Sequence, residues 1–270
     1  MKFKDYLLFS DVDGTLLPYT ENAEVPKRNI EAIERFIKQG GSFGLATGRS
    51  KVSAEEFVKL LPVNVPCVVL NGGGLYDYAA EEYLIMLFLP DEAKVYVKQI
   101  MEELPRISVL VVVKEDYYHL TPEIEFESFT SEYRKNFKDV NPETMDVKWS
   151  KTLFSGKEEE LIKLRKYIGA HDFKGIRFVE TNETLIELLP ENSDKGNAIK
   201  TLASMKGYKR ERIAAIGDYY NDLEMLEYAG VGATVEEALD EIKGACDFVA
   251  GKCEDGAVAD FIEYLESMCE

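Results

Sequence analysis

Short apolar runs that stop abruptly at a polar residue alternate with helical stretches at both ends of this chain. Tyr6–Ser10 stops at Asp11, and Arg212–Gly217 stops at Asp218. Such runs are typical of buried strands, and parallel strands need a helical crossover between them. Further strands of this kind are predicted at Ser42–Ala46, Pro66–Leu70, Val231–Thr234 and Asp247–Ala250. The alternation predicts an α/β fold with a doubly wound, Rossmann-like parallel sheet.

The crossovers show helical spacing of their apolar residues. The first begins at Pro26, a residue suited to a first helical turn, and ends at Gly40 and Gly41. The predicted helices are Pro26–Gln39, Ser50–Leu61, Lys195–Lys206, Asp222–Tyr228, Val235–Lys243 and Glu254–Met268.

The middle of the chain has a different pattern, with longer strands and with helices between pairs of strands. Strands are predicted at Tyr83–Leu89, Ile107–Val113, Ile176–Thr181 and Thr184–Leu189, and helices at Asp91–Leu104, Ile124–Phe137 and Lys157–Gly169. We therefore expect an α+β domain over residues 81–189, inserted between two pieces of the core, residues 1–80 and 190–270.

Charge and composition exclude several classes of function. The 270 residues carry 32 Lys and Arg against 50 Asp and Glu, a formal net charge of -18. Nucleic acids and anionic membranes attract basic surfaces, so neither is expected as a partner. The four cysteines show no CxxC spacing and there are only two histidines, which argues against a structural zinc site. The first residues are too polar for a signal peptide, and we expect a cytoplasmic protein.

Polar residues collect where four of the predicted core strands end. In parallel sheets, ligands bind beyond the carboxyl ends of the strands, so these four segments are expected to meet at one crevice. They are Asp11–Thr15, Thr47–Arg49, Asn71–Gly73 and Gly217–Asp222.

Such a crevice would hold Asp11, Asp13, Asp218 and Asp222 close together. Carboxylates at short range repel one another unless a cation neutralises them. Magnesium fits, because it prefers oxygen ligands and keeps open positions for phosphate oxygens. Lys195 opens a helix and supplies a positive charge that could meet a phosphate.

The same segments resemble a known family. DVDGT at 11–15, LATGR at 45–49, SDKG at 193–196 and GDYYND at 217–222 resemble, in order, the four motifs of the haloacid dehalogenase-like superfamily, and most closely its Cof-type phosphatases. NGG at 71–73 and EDGAVADFIEYL at 254–265 extend the similarity. The resemblance implies that the domain inserted between Gly72 and Lys195 is a C2-type cap that sets substrate specificity.

The resemblance also implies catalytic roles. Asp11 would attack phosphorus and become a phospho-aspartate, and Asp13 would protonate the leaving group and then activate water. Asp218 would ligate Mg²⁺ together with Asp11 and the backbone carbonyl of Asp13, and Asp222 would support the metal directly or through water.

Other residues would hold the phosphate. Thr47, the Gly48 backbone and Asn221 would contact the transferring group, and Lys195 would neutralise its charge. Arg49 is open to two interpretations, a structural ion pair or a substrate contact. In the inserted domain, Tyr117, Tyr118 and His119 could line a substrate pocket, although ordinary packing explains such residues equally well.

These implications favour a Mg²⁺-dependent phosphomonoester hydrolase that acts on a small phosphorylated metabolite, such as a sugar phosphate or a phosphorylated cofactor. Two alternatives stay open. One is phosphoryl transfer between sugars, as in phosphomannomutases. The other is a signalling or binding protein that carries a stable phospho-aspartate, as in response-regulator receiver domains.

Overall fold

The computed structural model describes residues 2–20, 23–126, 134, 137–140 and 147–269. The chain divides into two compact units, a core unit of Met1–Met86 with Asp194–Glu270 and an inserted unit of Leu87–Ser193. The sequence pattern alone predicts these junctions at residues 80/81 and 189/190.

The described chain contains both strands and helices. The strands are β1 Leu7–Ser10, β2 Ser42–Leu45, β3 Cys67–Val69, β4 Gly74–Asp77, β5 Glu82–Met86, β6 Ser108–Val113, β7 Asp116–His119, β8 Lys138–Asp139, β9 Lys151–Ser155, β10 Ile176–Asn182, β11 Leu185–Pro190, β12 Ile213–Gly217, β13 Val231–Thr234 and β14 Phe248–Val249. The helices are α1 Lys27–Lys38, α2 Lys51–Leu60, α3 Glu92–Glu103, α4 Glu158–Ala170, α5 Lys195–Lys206, α6 Leu223–Tyr228, α7 Asp240–Gly244 and α8 Ala257–Met268. Among the residues described, no helix combines the length and the apolar character that crossing a bilayer requires.

The core unit is built on a parallel sheet in the order β14-β13-β12-β1-β2. A parallel bridge between Ala46 and Val68 places β3 beyond β2. The central strand β1 is buried on both faces, with Leu8 and Phe9 fully enclosed, which explains its continuous apolar run. From β1 the chain winds outward in one direction through β2 and β3, and later in the other direction through β12, β13 and β14. The predicted doubly wound sheet is confirmed.

The predicted strand Tyr83–Leu89 differs in its partners. It corresponds to β5, which pairs antiparallel with β4, and β4 pairs antiparallel with β3. This small three-stranded sheet lies in the core unit. The prediction of a strand was sound, but an apolar run does not reveal which strand it will pair with.

Two predicted helices begin later than expected. The helix predicted over Val235–Lys243 starts only at Asp240, because the preceding residues form a turn in which Glu236 N–H donates to the carbonyl of Gly251. The helix predicted from Glu254 starts at Ala257, because Gly256 has a φ of 96°, a left-handed conformation that separates α8 from the short 3-10 turn before it.

The inserted unit contains a mostly antiparallel sheet in the order β10-β11-β9-β6-β7-β8. One face packs against α3 and α4 and forms a separate apolar core, which includes Val109, Phe154 and Leu188 from the sheet and Ile100 and Leu161 from the helices. The α+β character predicted for this region is confirmed. Of the helix predicted over Ile124–Phe137, Ile124–Phe126 are not helical, and most of the remainder lies outside the described residues.

The opposite face of this sheet carries a buried ion pair. Lys151 on β9 donates from Nζ to both carboxylate oxygens of Glu187 on β11, each at 2.8 Å. The two side chains are only 2% and 4% exposed. A charge at this depth is tolerated only with its partner, because an isolated buried charge loses its hydration without compensation.

This pair leads to a prediction for stability. We expect Lys151→Met to lower the free energy of unfolding by about 3–5 kcal/mol, because Glu187 would stay buried without its counter-charge. The double variant Lys151→Met/Glu187→Leu should recover most of that loss, since an apolar pair can replace a buried ion pair. Urea denaturation measures both values.

The matched control is Lys138→Met. Lys138 makes an ion pair of the same 2.8 Å length with Asp116 in the same sheet, but both side chains are about half exposed. Its loss should stay below about 1 kcal/mol. Equal losses for Lys138→Met and Lys151→Met would show that burial does not set the strength of these pairs.

Candidate active site

The polar segments predicted to meet at the carboxyl edge of the core sheet do meet there. Asp11 follows β1, Thr47 lies just beyond β2 and Asp218 follows β12, and these three strands are neighbours in the sheet. The winding direction reverses between β1 and β12. Open α/β sheets bind ligands at such a reversal, because the loops on either side turn away and leave a crevice.

A buried lysine joins two of the carboxylates. Lys195 Nζ donates to Asp11 Oδ1 and to Asp222 Oδ1, both at 2.6 Å. The lysine and Asp222 side chains are fully buried, and the Asp11 side chain is only 7% exposed. Lys195 is the first residue of α5, and Asp194 caps this helix by accepting the N–H of Asn197 at 2.6 Å.

Asp222 organises the turn that carries Asp218. Its Oδ2 accepts the backbone N–H groups of Asp218 at 2.9 Å and of Tyr219 at 3.2 Å. Gly217 lies so close to this carboxylate that a Cβ there would overlap it. Thr15 donates to Asp218 Oδ1 at 2.8 Å and so links this turn to the loop after β1.

Burial and mutual repulsion shift the ionisation of these groups. Burial, reinforced by the negative charges of Asp222 and Asp13, raises the pKa of Asp11 to about 7, although Lys195 opposes the shift. The pKa of Asp218 also lies well above its ordinary value, mainly through burial and then through the charges of Asp11 and Asp222. Burial lowers the pKa of Lys195, but Asp11 and Asp222 outweigh it and raise the pKa overall.

The carboxylates suit a divalent cation. Asp11, Asp218 and Asp222 each offer an oxygen within 4.8 Å of the others. Asp11 Oδ2, Asp218 Oδ2 and the backbone carbonyl of Asp13 accept no hydrogen bond from any described residue. Both oxygens of Asp222 are engaged by Lys195 and by backbone amides. An excess of buried oxygen donors over positive charge fits Mg²⁺.

Asp13 lies apart from this cluster and pairs with Arg49. Arg49 donates from Nη2 to Asp13 Oδ1 at 2.7 Å and from Nε to Asp13 Oδ2 at 2.9 Å. The guanidinium also contacts Glu56 at 3.2 Å and lies over the Phe57 ring at 4.8 Å. A two-point fork fixes the orientation of the carboxylate, so the ion-pair interpretation of Arg49 is the one that the geometry favours.

Thr47, Gly48 and Asn221 are brought together around Asn71. Thr47 is fully buried and its Oγ1 accepts the N–H of Arg49 at 3.1 Å. Asn221 Nδ2 donates to Asn71 Oδ1 at 3.1 Å, and a Cβ on Gly48 would also press against the Asn71 amide.

The sequence pattern places Asn71–Gly73 at the crevice but does not reveal this bridging position of Asn71. Asn71 has a φ of 52°, in the left-handed region. The signal that could have identified it is an amide residue, tolerant of that conformation, placed directly at a strand end.

The remaining aromatic residues of interest lie in the inserted unit. Tyr117 and His119 are buried on β7, where His119 Nε2 lies 2.8 Å from Ser108 Oγ, and Tyr118 points to the other face and packs against the apolar core. His171 is exposed and stacks on Tyr167.

Comparisons with known proteins agree with this geometry. The family model described as haloacid dehalogenase-like hydrolase matches residues 8–262. The chain is 26% identical to the 5-amino-6-(5-phospho-D-ribitylamino)uracil phosphatase YitU of Bacillus subtilis, over 99% of this chain and 100% of that protein. It is also 26% identical to the pyridoxal phosphate phosphatase YbhA of Escherichia coli, over 93% and 95% of the two chains. A haloacid dehalogenase-like hydrolase from Bacteroides thetaiotaomicron has a similar fold, with a TM-score of 0.82 at 24% identity, over 96% of this chain and 99% of that chain.

The crowding of carboxylates leads to a prediction for metal-free protein. Asp218→Asn should raise the free energy of unfolding in EDTA by roughly 0.5–2 kcal/mol, because it removes one of the buried like charges. Added Mg²⁺ should raise the melting temperature of the wild type, since ligands stabilise the state they bind, and should have little effect on the variant. Thermal melts with EDTA and with Mg²⁺ measure both effects.

Asp172→Asn is the matched control. Its side chain is 85% exposed, so neither its stability nor its response to Mg²⁺ should change. An Asp218→Asn protein that is less stable than the wild type in EDTA would contradict the idea that repulsion dominates this cluster.

Proposed function

Because this chain belongs to the haloacid dehalogenase-like hydrolases and is a phosphatase of that family, we propose that it releases phosphate from small phosphorylated metabolites through a phospho-aspartate on Asp11. The observation that carries this proposal is the buried contact between Asp11 and Lys195 at the reversal point of the sheet. Asp11 is a carboxylate and can attack phosphorus as a nucleophile. Lys195, which contacts it, supplies part of the positive charge that phosphoryl transfer needs.

The first step transfers the phosphoryl group to the protein. An oxygen of Asp11 attacks phosphorus, the bond from phosphorus to the leaving-group oxygen breaks, and Asp13 gives a proton to that oxygen. Thr47, the Gly48 backbone and Asn221 hold the phosphoryl oxygens. Thr47 Oγ1 accepts the N–H of Arg49, which leaves its own proton to donate to phosphate.

Positive charge must accompany this transfer, because the transferring group and its surroundings are anionic. Lys195 supplies one charge directly. Mg²⁺ would be held by Asp11, Asp218 and the Asp13 carbonyl, with Asp222 reaching it through water because both Asp222 oxygens already accept hydrogen bonds. When bound, the ion neutralises charge on the phosphoryl oxygens and relieves the repulsion among the aspartates.

The second step regenerates Asp11. Water attacks phosphorus, Asp13 accepts a proton from that water, the bond between phosphorus and Asp11 breaks, and inorganic phosphate leaves. Asp13 therefore acts first as an acid and then as a base. The Arg49 fork holds the Asp13 carboxylate in one orientation as the base of this second step.

The inserted unit would select the substrate. Relatives of this chain include phosphatases for a ribitylaminouracil phosphate and for pyridoxal phosphate, and a structural neighbour is a sugar phosphatase. We therefore propose phosphorylated cofactors, their precursors and sugar phosphates as the substrate class.

The first test is phosphate release from a panel of these compounds, with Mg²⁺ and with EDTA. Asp11→Asn should lower turnover by roughly a thousandfold or more, because the nucleophile is lost. Asp5→Asn is the control, since Asp5 precedes the same strand and lies at its opposite end. Undiminished turnover in EDTA, or turnover of Asp11→Asn equal to that of the wild type, would exclude this mechanism.

The same panel separates the two alternatives. Exchange of labelled phosphate between sugars without release would identify a transferase. A stable phosphoryl group on Asp11 without turnover would identify a signalling protein.

A second prediction concerns Arg49. Arg49→Lys keeps the charge but loses the two-point fork on Asp13, and we expect kcat to fall by about ten- to a hundredfold while KM changes little. Glu56→Gln is the matched control, because it removes the charge of one exposed ion-pair partner of Arg49 and leaves the fork on Asp13 intact. A rise in KM at constant kcat would instead make Arg49 a substrate contact.

A further inference from the structure

One aromatic side chain beside the catalytic loop is largely exposed. Tyr19 is 64% exposed, the highest value among the exposed large apolar residues. No hydrogen bond and no ring contact from a described residue holds its side chain. An aromatic ring left open in this way buries little of its own area, so folding alone does not explain its position.

The backbone nevertheless fixes where Tyr19 lies. Gly14 N–H donates to the Leu17 carbonyl at 2.8 Å, and Leu17 N–H donates to the Val12 carbonyl at the same distance. These two hydrogen bonds close a tight loop that brings the backbone of Leu17 back next to that of Asp13. Pro18 then restricts the backbone before Tyr19, so the side chain starts from a defined place next to the catalytic loop.

The ring lies at the edge of the acidic cluster. A Cβ on Gly14 would overlap both the Tyr19 ring and the Asp218 carboxylate, so the ring and the carboxylate lie next to each other on one side of Gly14.

The ring is also close to the proposed proton donor. Asp13 is joined to Gly14, and Gly14 contacts the ring. Under the proposed function the leaving group takes its proton from Asp13, so it would lie beside the loop that carries Gly14 and Tyr19.

We propose that Tyr19 is a specificity residue whose ring stacks on a planar ring in the leaving group, so that the protein favours ring-bearing phosphate esters over open-chain ones. This assignment rests on the proposed function, since it concerns the leaving group of that reaction. Tyrosine supplies a large, rigid contact area with only two side-chain torsions to order. Planar heteroaromatic groups stack on such a ring without a required hydrogen bond.

The experiment compares kcat/KM for two ring-bearing esters, pyridoxal 5′-phosphate and p-nitrophenyl phosphate, with that for two open-chain esters, glycerol 3-phosphate and erythrose 4-phosphate. The proteins are the wild type, Tyr19→Ala, Tyr19→Phe and the control Met205→Ala. Met205 is 55% exposed near the end of α5 opposite to Lys195, so its loss removes exposed apolar surface away from the site.

The expected result is selective. Tyr19→Ala should lower kcat/KM for the ring-bearing esters by about tenfold and leave the open-chain esters within about twofold. Tyr19→Phe should restore the ring-bearing esters, and Met205→Ala should match the wild type throughout.

Four results would overturn the assignment. An equal loss for both kinds of ester in Tyr19→Ala would mean that Tyr19 only supports the loop, and failure of Tyr19→Phe to restore activity would mean that the hydroxyl acts instead of the ring. A wild type that hydrolyses open-chain esters but not ring-bearing ones would leave the proposed function standing and reject the role of Tyr19. A wild type that hydrolyses none of the four would reject both.

Discussion

The core unit depends on one buried lysine. Lys195 lies fully enclosed between Asp11, which follows the central strand, and Asp222, which organises the turn after β12. Without this lysine, Asp11, Asp218 and Asp222 would face one another in a poorly hydrated space, and no described residue would form an ion pair with any of the three. Lys195 is the first residue of α5, so the position of this helix determines where the positive charge of the site lies.

The buried aspartates of the site repel one another, and this repulsion lowers the stability of the fold. Asp11 and Asp218 both have raised pKa values, chiefly because they are buried. The charge of Asp222 raises both pKa values further, and the charge of Asp11 also raises the pKa of Asp218. A sequence selected only for stability would replace such groups with neutral ones. Their presence therefore favours a function that needs concentrated negative charge, and a cation that relieves it when the site is at work.

The strands that follow a simple sequence pattern can be predicted from the sequence alone. Strands buried on both faces, such as β1 and β12, read as short apolar runs that end at a polar residue, and the sheet edge follows from the order of these runs. By contrast, β9 was not predicted, because Lys151, Thr152 and Ser155 interrupt its apolar character. Lys151 is buried only because Glu187 on a neighbouring strand neutralises it, and a pairing between distant segments leaves no local pattern.

The same distinction applies to the site. Residues at strand ends and at a helix start could be named from the sequence, since their spacing and their motifs carry the information. The partners that orient them could not. The sequence leaves Arg49 open to two interpretations, and its fork on Asp13 is visible only in the structure. The sequence likewise does not show that Asn71 contacts Asn221. Tyr19 belongs to none of the sequence motifs, and its position follows from a backbone loop that closes next to Asp13. The local sequence thus encodes the chemistry of this site, and tertiary contacts determine its orientation and its selectivity.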